Sequence, residues 1–159
     1  MTPSPQVQLR DVVEADLEAL YQDQADPEAH RMAEHPPRDR DAFFAHWRQN
    51  VLGDPAVVNK AILCDGDLAG YVVCYESDAR WTVGYWIHKT HWGRGLATTA
   101  LRQLITELPQ RPLYAWVAKS NVGSRRVVEK CGFVVAREGL GPGAAPGEQV
   151  EEYLFELAE

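Results

Sequence analysis

Residues 56–76, AVVNKAILCDGDLAGYVVCYE, constrain the fold more than any other stretch. Two apolar runs rich in β-branched residues flank Asp65-Gly66-Asp67, the turn chemistry of a tight hairpin, so strands are expected over about 56–64 and 68–76. The second run, Tyr71 to Tyr75, is continuously apolar rather than alternating. A strand of that kind is covered on both faces, so helices must lie on both sides of the sheet it belongs to. RWTVGYWIH, residues 80–88, adds a third strand of the same character.

The remaining elements arrange themselves around that sheet. VQLRDV (7–12) reads as a strand, and from Asp16 a cap is followed by Leu17, Leu20 and Tyr21 at helical spacing. Residues 26–37, with Pro27, Pro36 and Pro37, form a break, after which Phe43, Phe44, Trp47 and Val51 mark one face of a second helix. These aromatics could line a pocket, but at helical spacing they belong to a core. From Leu96 the period changes: Ala97, Ala100, Leu101, Leu104, Ile105 and Leu108 recur at three and four until Pro109 ends the helix. Residues 111–119 are a strand, and NVGSRRVVEKCGF (121–133) is a helix with Asn121 as its cap and Gly132 at its stop. Strands near 133–138 and 150–157 flank a Gly- and Pro-rich connection, 139–149. The order describes one mixed α/β domain over residues 1–159, with 1–6 as a flexible head.

Charge and cysteine usage exclude several classes of function. Sixteen Lys and Arg against 23 Asp and Glu leave a net charge of −7, which argues against a basic grip on nucleic acid. Cys64, Cys74 and Cys131 share no CxxC spacing and lie in apolar surroundings, so they are expected as buried thiols of a reducing compartment. The head MTPSPQ lacks the pattern of a secretory signal, and no apolar run is long enough to span a bilayer. A cytoplasmic protein without a membrane partner, either monomer or homodimer, is the expectation. His88 and His91 are three apart, but no third ligand joins them, so no metal site is expected.

HWGRGLATTA, residues 91–100, lies where the strand ending at His88 turns into the helix from Leu96. Helix entrances commonly recruit Asp or Glu to meet four unpartnered N–H groups and the positive end of the dipole. This one offers Thr98, Thr99 and Ala100, with no acid before Glu107. Gly93 and Gly95 around Arg94 let the backbone turn sharply and approach a ligand closely, the recurring construction for holding a phosphate. A tight turn without a ligand is the alternative. The Walker pattern is absent, and the dinucleotide fingerprint fails because Thr98 stands where Gly or Ala is needed.

The pattern resembles the GNAT superfamily of acyl-CoA-dependent N-acyltransferases, and within it the branch of Rim-type ribosomal-protein N-terminal acetyltransferases. The family's pyrophosphate loop, Q/R-x-x-G-x-G/A, falls on Trp92-Gly93-Arg94-Gly95-Leu96-Ala97, with Trp92 replacing the usual Gln or Arg. Residues 121–133 resemble the branch motif N-x-x-S-x-R-x-x-E-K-x-G-F. The resemblance implies a central, mostly antiparallel sheet of six to seven strands flanked by about four helices. It also implies acetyl-CoA as cosubstrate, held by Gly93, Arg94, Gly95, Leu96, Ala97 and Thr98, by Asn121 and Arg126, and by strand backbone at Trp86, Ile87 and His88. The acceptor is then a peptide N-terminus or small-molecule amine that attacks the thioester directly in a ternary complex.

The family's usual Glu and Tyr are missing: Thr82 and Val128 occupy those places. The resemblance makes Ser124 the acid, a capping residue being the alternative role. The base is left among Glu76, Tyr85, His88 and a water chain. The same gaps support a rival reading, a domain that binds acyl-CoA without turnover; a nucleotide-binding regulatory domain is a third.

Overall fold

The computed structural model describes residues 6–29, 38–142 and 147–159. The leading residues of the expected flexible head, Pro36 and Pro37 of the expected break, and the centre of the 139–149 connection lie outside the described residues.

Seven strands form one sheet in the order β1-β2-β3-β4-β5-β7-β6. They are β1 (Val7–Asp11), β2 (Val58–Cys64), β3 (Asp67–Ser77), β4 (Arg80–Ile87), β5 (Leu113–Ala118), β6 (Val134–Pro142) and β7 (Gln149–Leu157). The helices are α1 (Leu17–Ala25), α2 (Arg40–His46), α3 (Leu96–Glu107) and α4 (Val122–Lys130), with α2 running on as a wider π turn over Trp47–Val51. Every strand pairing is antiparallel except β4 with β5. The elements agree with those read from the sequence, except that residues 27–29, placed in the expected break, are helical. The last hairpin differs, because β6 continues through Pro142 and pairs with β7 as far as Gln149. The strand runs through a segment whose glycines read as a loop.

The β2–β3 turn is built as the sequence requires: Asp65 and Gly66 both have positive φ, 51° and 89°, matching the right-handed twist of the paired strands. The β3–β4 turn uses the same geometry without a glycine, at Asp78 (51°) and Ala79 (61°). β1 is tied to the start of α1 by a two-pronged contact in which Arg10 donates to both Asp16 carboxylate oxygens, at 2.7 and 2.9 Å.

Each face of the sheet has its own core. On one side α3 and α4 cover it with Leu96, Leu101, Leu104 and Val128 against Val72, Cys74, Val83, Leu113 and Phe155. On the other, α1 and α2 bring Leu17, Leu20, Phe43 and Trp47 onto Ala61, Val73 and Tyr71. Phe43 and Trp47 are thus core residues, as their spacing predicts. Cys64 and Cys74 are buried as expected, whereas Cys131 is only partly covered. Fully burying each leucine contributes about 1.5–3 kcal/mol, which is why the helical periodicity was the most legible part of the sequence. No helix among the described residues is long and apolar enough to cross a membrane.

Ala79 carries the cost of a left-handed conformation that glycine adopts freely. Ala79→Gly is expected to stabilise the fold by about 0.5–1 kcal/mol, read as a higher urea midpoint with an unchanged m-value.

Candidate active site

β4 and β5 are hydrogen-bonded neighbours only at Trp81 with Leu113 and Thr82 with Tyr114. Both strands continue, β4 to Ile87 and β5 to Ala118, so a gap opens between them. The direction of β4's polar groups follows from its partner on the other side. His88 donates its N–H to the Ala69 carbonyl at 2.7 Å, so even-numbered residues address β3; the Val83 N–H completes the Thr82–Tyr114 rung, and the Val83 carbonyl with the polar groups of Tyr85 and Ile87 faces the gap. Of Trp86, Ile87 and His88, the residues expected to offer backbone to a cofactor, only Ile87 keeps an N–H directed there. Tyr85 and the Val83 carbonyl are directed there as well; the alternation that decides this appears only once the register is known. The Ile87 carbonyl is itself closed off by the Trp92 indole N–H at 2.9 Å.

The gap leads to the glycine turn. Gly93 and Gly95 have φ of 77° and 74°, and a Cβ built on either would meet nothing within 4 Å, so the space above the turn is open. Gly95 is the residue preceding α3, and no acid stands in the first turn. Among the described residues none accepts a hydrogen bond from the backbone N–H groups of residues 93–98. Leu96 and Thr98 turn their side chains into the protein, so what they present outward is backbone. Arg94 is exposed, with Nη1 3.3 Å from His91 Nδ1. Six N–H donors at the positive end of a 12-residue helix, in open space and beside an arginine, suit a diphosphate.

Across the gap, α4 supplies a hydroxyl. Asn121 caps it by accepting the Ser124 N–H at 3.2 Å, and its own N–H is held by the Ala118 carbonyl at 3.0 Å. Capping is therefore done by Asn121, and the Ser124 hydroxyl is turned to the Tyr85 hydroxyl, which also donates to the Ser124 carbonyl at 3.1 Å. Burial pushes the Tyr85 phenol up to about 12, against the hydrogen bond to Ser124, with the Cys131 thiol adding to the rise. Tyr85, one of the candidates for the base, thus stays protonated at neutral pH with its hydroxyl against Ser124. Thr82 is buried with its hydroxyl 3.3 Å from the Arg80 carbonyl, and Val128 is buried, so neither supplies the missing acid or base. Arg126 is exposed on α4 and Glu76 is exposed opposite Trp81 at the closed end of the β3–β4 pair.

His88 is not brought to this pair. Tyr85 packs into the core under α3 and α4, whereas His88 lies on the opposite face of β4. Its Nδ1 accepts the Thr90 N–H at 3.2 Å and its Nε2 is 3.4 Å from Asp23 Oδ1 of α1, so both ring nitrogens are committed to the turn and to the neighbouring helix. Lys89 makes a parallel contact, 3.3 Å from Asp26. Burial drives the Asp23 carboxyl up to about 6, partly offset by His88 and reinforced by Asp26. A carboxyl raised in the folded state favours folding when protonated and opposes it when ionised, so stability is lost as pH climbs from about 4 to about 6. Asp23→Asn is therefore expected to raise the thermal midpoint at pH 8 relative to the parent and to leave it nearly unchanged at pH 4.

Comparison with known proteins places these features in a group. The model of the acetyltransferase (GNAT) domain matches residues 6–134. A Bacillus subtilis (strain 168) protein provisionally named as the ribosomal N-acetyltransferase YdaF is 33% identical over 111 residues, which are 64% of this chain and 60% of that protein. The match thus spans less than two thirds of that relative's length. The spermidine N-acetyltransferase of Vibrio cholerae, in complex with CoA and spermine, shares 19% identity and superposes with a TM-score of 0.82, covering 96% of this chain and 95% of its own. RimL, a ribosomal-protein α-N-acetyltransferase in complex with coenzyme A, gives 17% and 0.80, covering 96% and 93%. At these identities the two structures attest the fold.

Proposed function

The chain belongs to the GNAT acetyltransferase family, and on that premise we propose that it transfers an acetyl group from acetyl-CoA to a primary amine by direct attack in a ternary complex. The observation that carries this reading is the two-residue pairing of β4 with β5, opening into a gap that ends at a helix entrance lined by free N–H groups. Residues 93–98 would hold the diphosphate, with Arg94 and the exposed Arg126 available to other phosphate oxygens. The Val83 carbonyl, the Tyr85 backbone and the Ile87 N–H, which face the gap, would meet the amides of the pantetheine arm. Acetyl-CoA supplies an acyl thioester, a good acyl donor whose leaving group is a thiolate of pKa near 8.5 by analogy with cysteine.

The protein's tasks are then to orient the thioester, assist the departing sulfur and receive a neutral amine. The Ser124 and Tyr85 hydroxyls form one hydrogen-bonded unit in which Ser124 donates to the sulfur and Tyr85 fixes its direction. Presenting a lysine-like amine (pKa about 10.4) as the free base at pH 7 costs about 4.6 kcal/mol; an α-amine (about 7.7–8.0) costs only about 1 kcal/mol. With no glutamate at Thr82, the site favours the second kind, an α-amine of a peptide or another amine of low pKa. A cytoplasmic setting, as monomer or homodimer, accords with the thiols and the acidic surface.

The absence of acid-base groups at Thr82 and Val128 also favours a second reading, a domain that binds acyl-CoA without turnover. Thermal-shift measurements with CoA, acetyl-CoA, ATP and NAD test the shared part. A ligand at 100 times its Kd should stabilise by about 2.7 kcal/mol, and only the CoA compounds are expected to act. Gly95→Glu, which puts a carboxylate at the helix entrance, should abolish the shift; stabilisation by ATP or NAD alone would overturn the assignment. Release of free CoA thiol in the presence of amines separates enzyme from sensor. Ser124→Ala is expected to lower kcat by about 10²-fold while leaving the CoA-induced shift intact. A kcat/KM profile for the best acceptor that keeps rising to pH 10 would contradict the low-pKa acceptor.

A further inference from the structure

We propose that Asp23, on α1, is an acceptor-binding residue whose carboxylate holds a second, cationic group of the amine that is acetylated. The proposal rests on the acetyltransferase reading above and deepens it: the acceptor is dicationic, as a dibasic amino-acid derivative or an alkyl diamine is.

The placement follows from the register and two contacts. Tyr85 and Ile87 pack under α3 and α4, so Gly84, Trp86 and His88 turn to the α1 side of β4. Directly paired residues of antiparallel strands share a face, and Trp86 is paired with Tyr71, which packs in the core under α1 and α2. Asp23 Oδ1 lies 3.4 Å from His88 Nε2, and its charge adds to the rise that burial imposes on the Tyr71 phenol. The carboxylate is thus bracketed by the two side chains that flank Trp86. Trp86 in turn stands where β4 has already parted from β5, whose pairing with it ends at Thr82.

The same face leaves a way in. Gly84 is partly exposed inside a strand of bulky residues, and a Cβ built there would meet only Val73, at 3.6 Å. A glycine so placed admits the close approach of a ligand. An amine passing over it reaches the gap from the side opposite the Ser124–Tyr85 pair, so the attacking nitrogen and the leaving sulfur need not compete for space. Its far end then has two residues of β4, about 7 Å, to run from the level of Trp86 to that of His88.

Asp23 is equipped for a cation. Its side chain is only 8% exposed, yet among the described residues no lysine or arginine forms an ion pair with it and none donates a hydrogen bond to its carboxylate. The 3.4 Å contact to His88 is long beside the 2.7 and 2.9 Å at which Arg10 holds Asp16. An ionised carboxylate under that much cover needs a cation to offset the water it has lost. The surrounding charge points the same way, since Asp26 and Glu28 share one ammonium, that of Lys89, at 3.3 and 3.9 Å. Arg38 opposes the rise at Tyr71 but makes no ion pair with Asp23. The stability that ionised Asp23 costs the empty protein is offset when the acceptor brings its second cation.

The test uses two matched pairs of acceptors: lysinamide with norleucinamide, whose side chain lacks the ammonium, and 1,5-diaminopentane with pentylamine. Each is measured with acetyl-CoA at pH 8 on the parent and on Asp23→Asn. The parent is expected to favour the dicationic member of at least one pair by about 10- to 100-fold in kcat/KM. Asp23→Asn should remove that preference and leave the norleucinamide and pentylamine rates and the CoA-induced shift unchanged. The pair that shows the preference tells a dibasic amino-acid derivative from an alkyl diamine. Added to the CoA complex, the preferred amine should also raise the unfolding midpoint of the parent and not that of Asp23→Asn. A preference absent from both pairs, or one that survives in Asp23→Asn, overturns the proposal. So does an equal loss on all four amines, the result of a purely structural role. Parent protein that binds CoA but neither binds nor acetylates any of the four overturns it as well. Absence of CoA stabilisation in the parent would instead remove the acetyltransferase reading beneath it.

Discussion

Everything in this molecule that bears on chemistry depends on β4 and β5 parting after two paired residues. Parallel neighbours normally continue their ladder, because an unpaired buried N–H or carbonyl costs as much as a lost hydrogen bond. Here the ladder stops and the ends of the opening are closed locally, by the Trp92 indole at Ile87 and by the Asn121 N–H at Ala118. Between those closures the strand edges keep their hydrogen-bonding capacity for a visitor. The same divergence aims α3's entrance at one end of the opening and α4's first turn at its side.

The turn leading into the glycine loop is anchored from the opposite face. His88 and Lys89 reach Asp23 and Asp26 of α1 and its end, so that helix is joined to the segment that precedes Gly93 and Gly95. A histidine next to a binding loop invites a catalytic reading, yet here both its nitrogens have structural partners. A titratable residue's availability depends on which of its atoms are already engaged, more than on its nominal pKa.

The division between what could and could not be seen in the sequence has a physical origin. Local signals were legible: Asp65-Gly66 for the turn, the spacing from Leu96 to Leu108 for α3, Asn121 for a cap, and the two glycines ahead of Leu96 for a sharp turn of positive φ. Each is decided by residues within a few positions of one another. Properties set by the register of distant strands were not legible. Tyr85 and Ile87 face the gap only because His88 pairs with Ala69. The extension of β6 through Gly139 and Gly141 was hidden for the same reason, since partner strands overrode a composition that favours loops.

The two cores share no residue, one belonging to α3 and α4 and the other to α1 and α2. This separation has a consequence for divergence. Substitutions that reshape α1 and α2 can accumulate while the packing that aligns α3, α4 and the glycine turn remains under independent selection. On this plan a change in the packing of α1 and α2 leaves the contacts that seat α3 and α4 untouched, so the two faces of the sheet can vary independently.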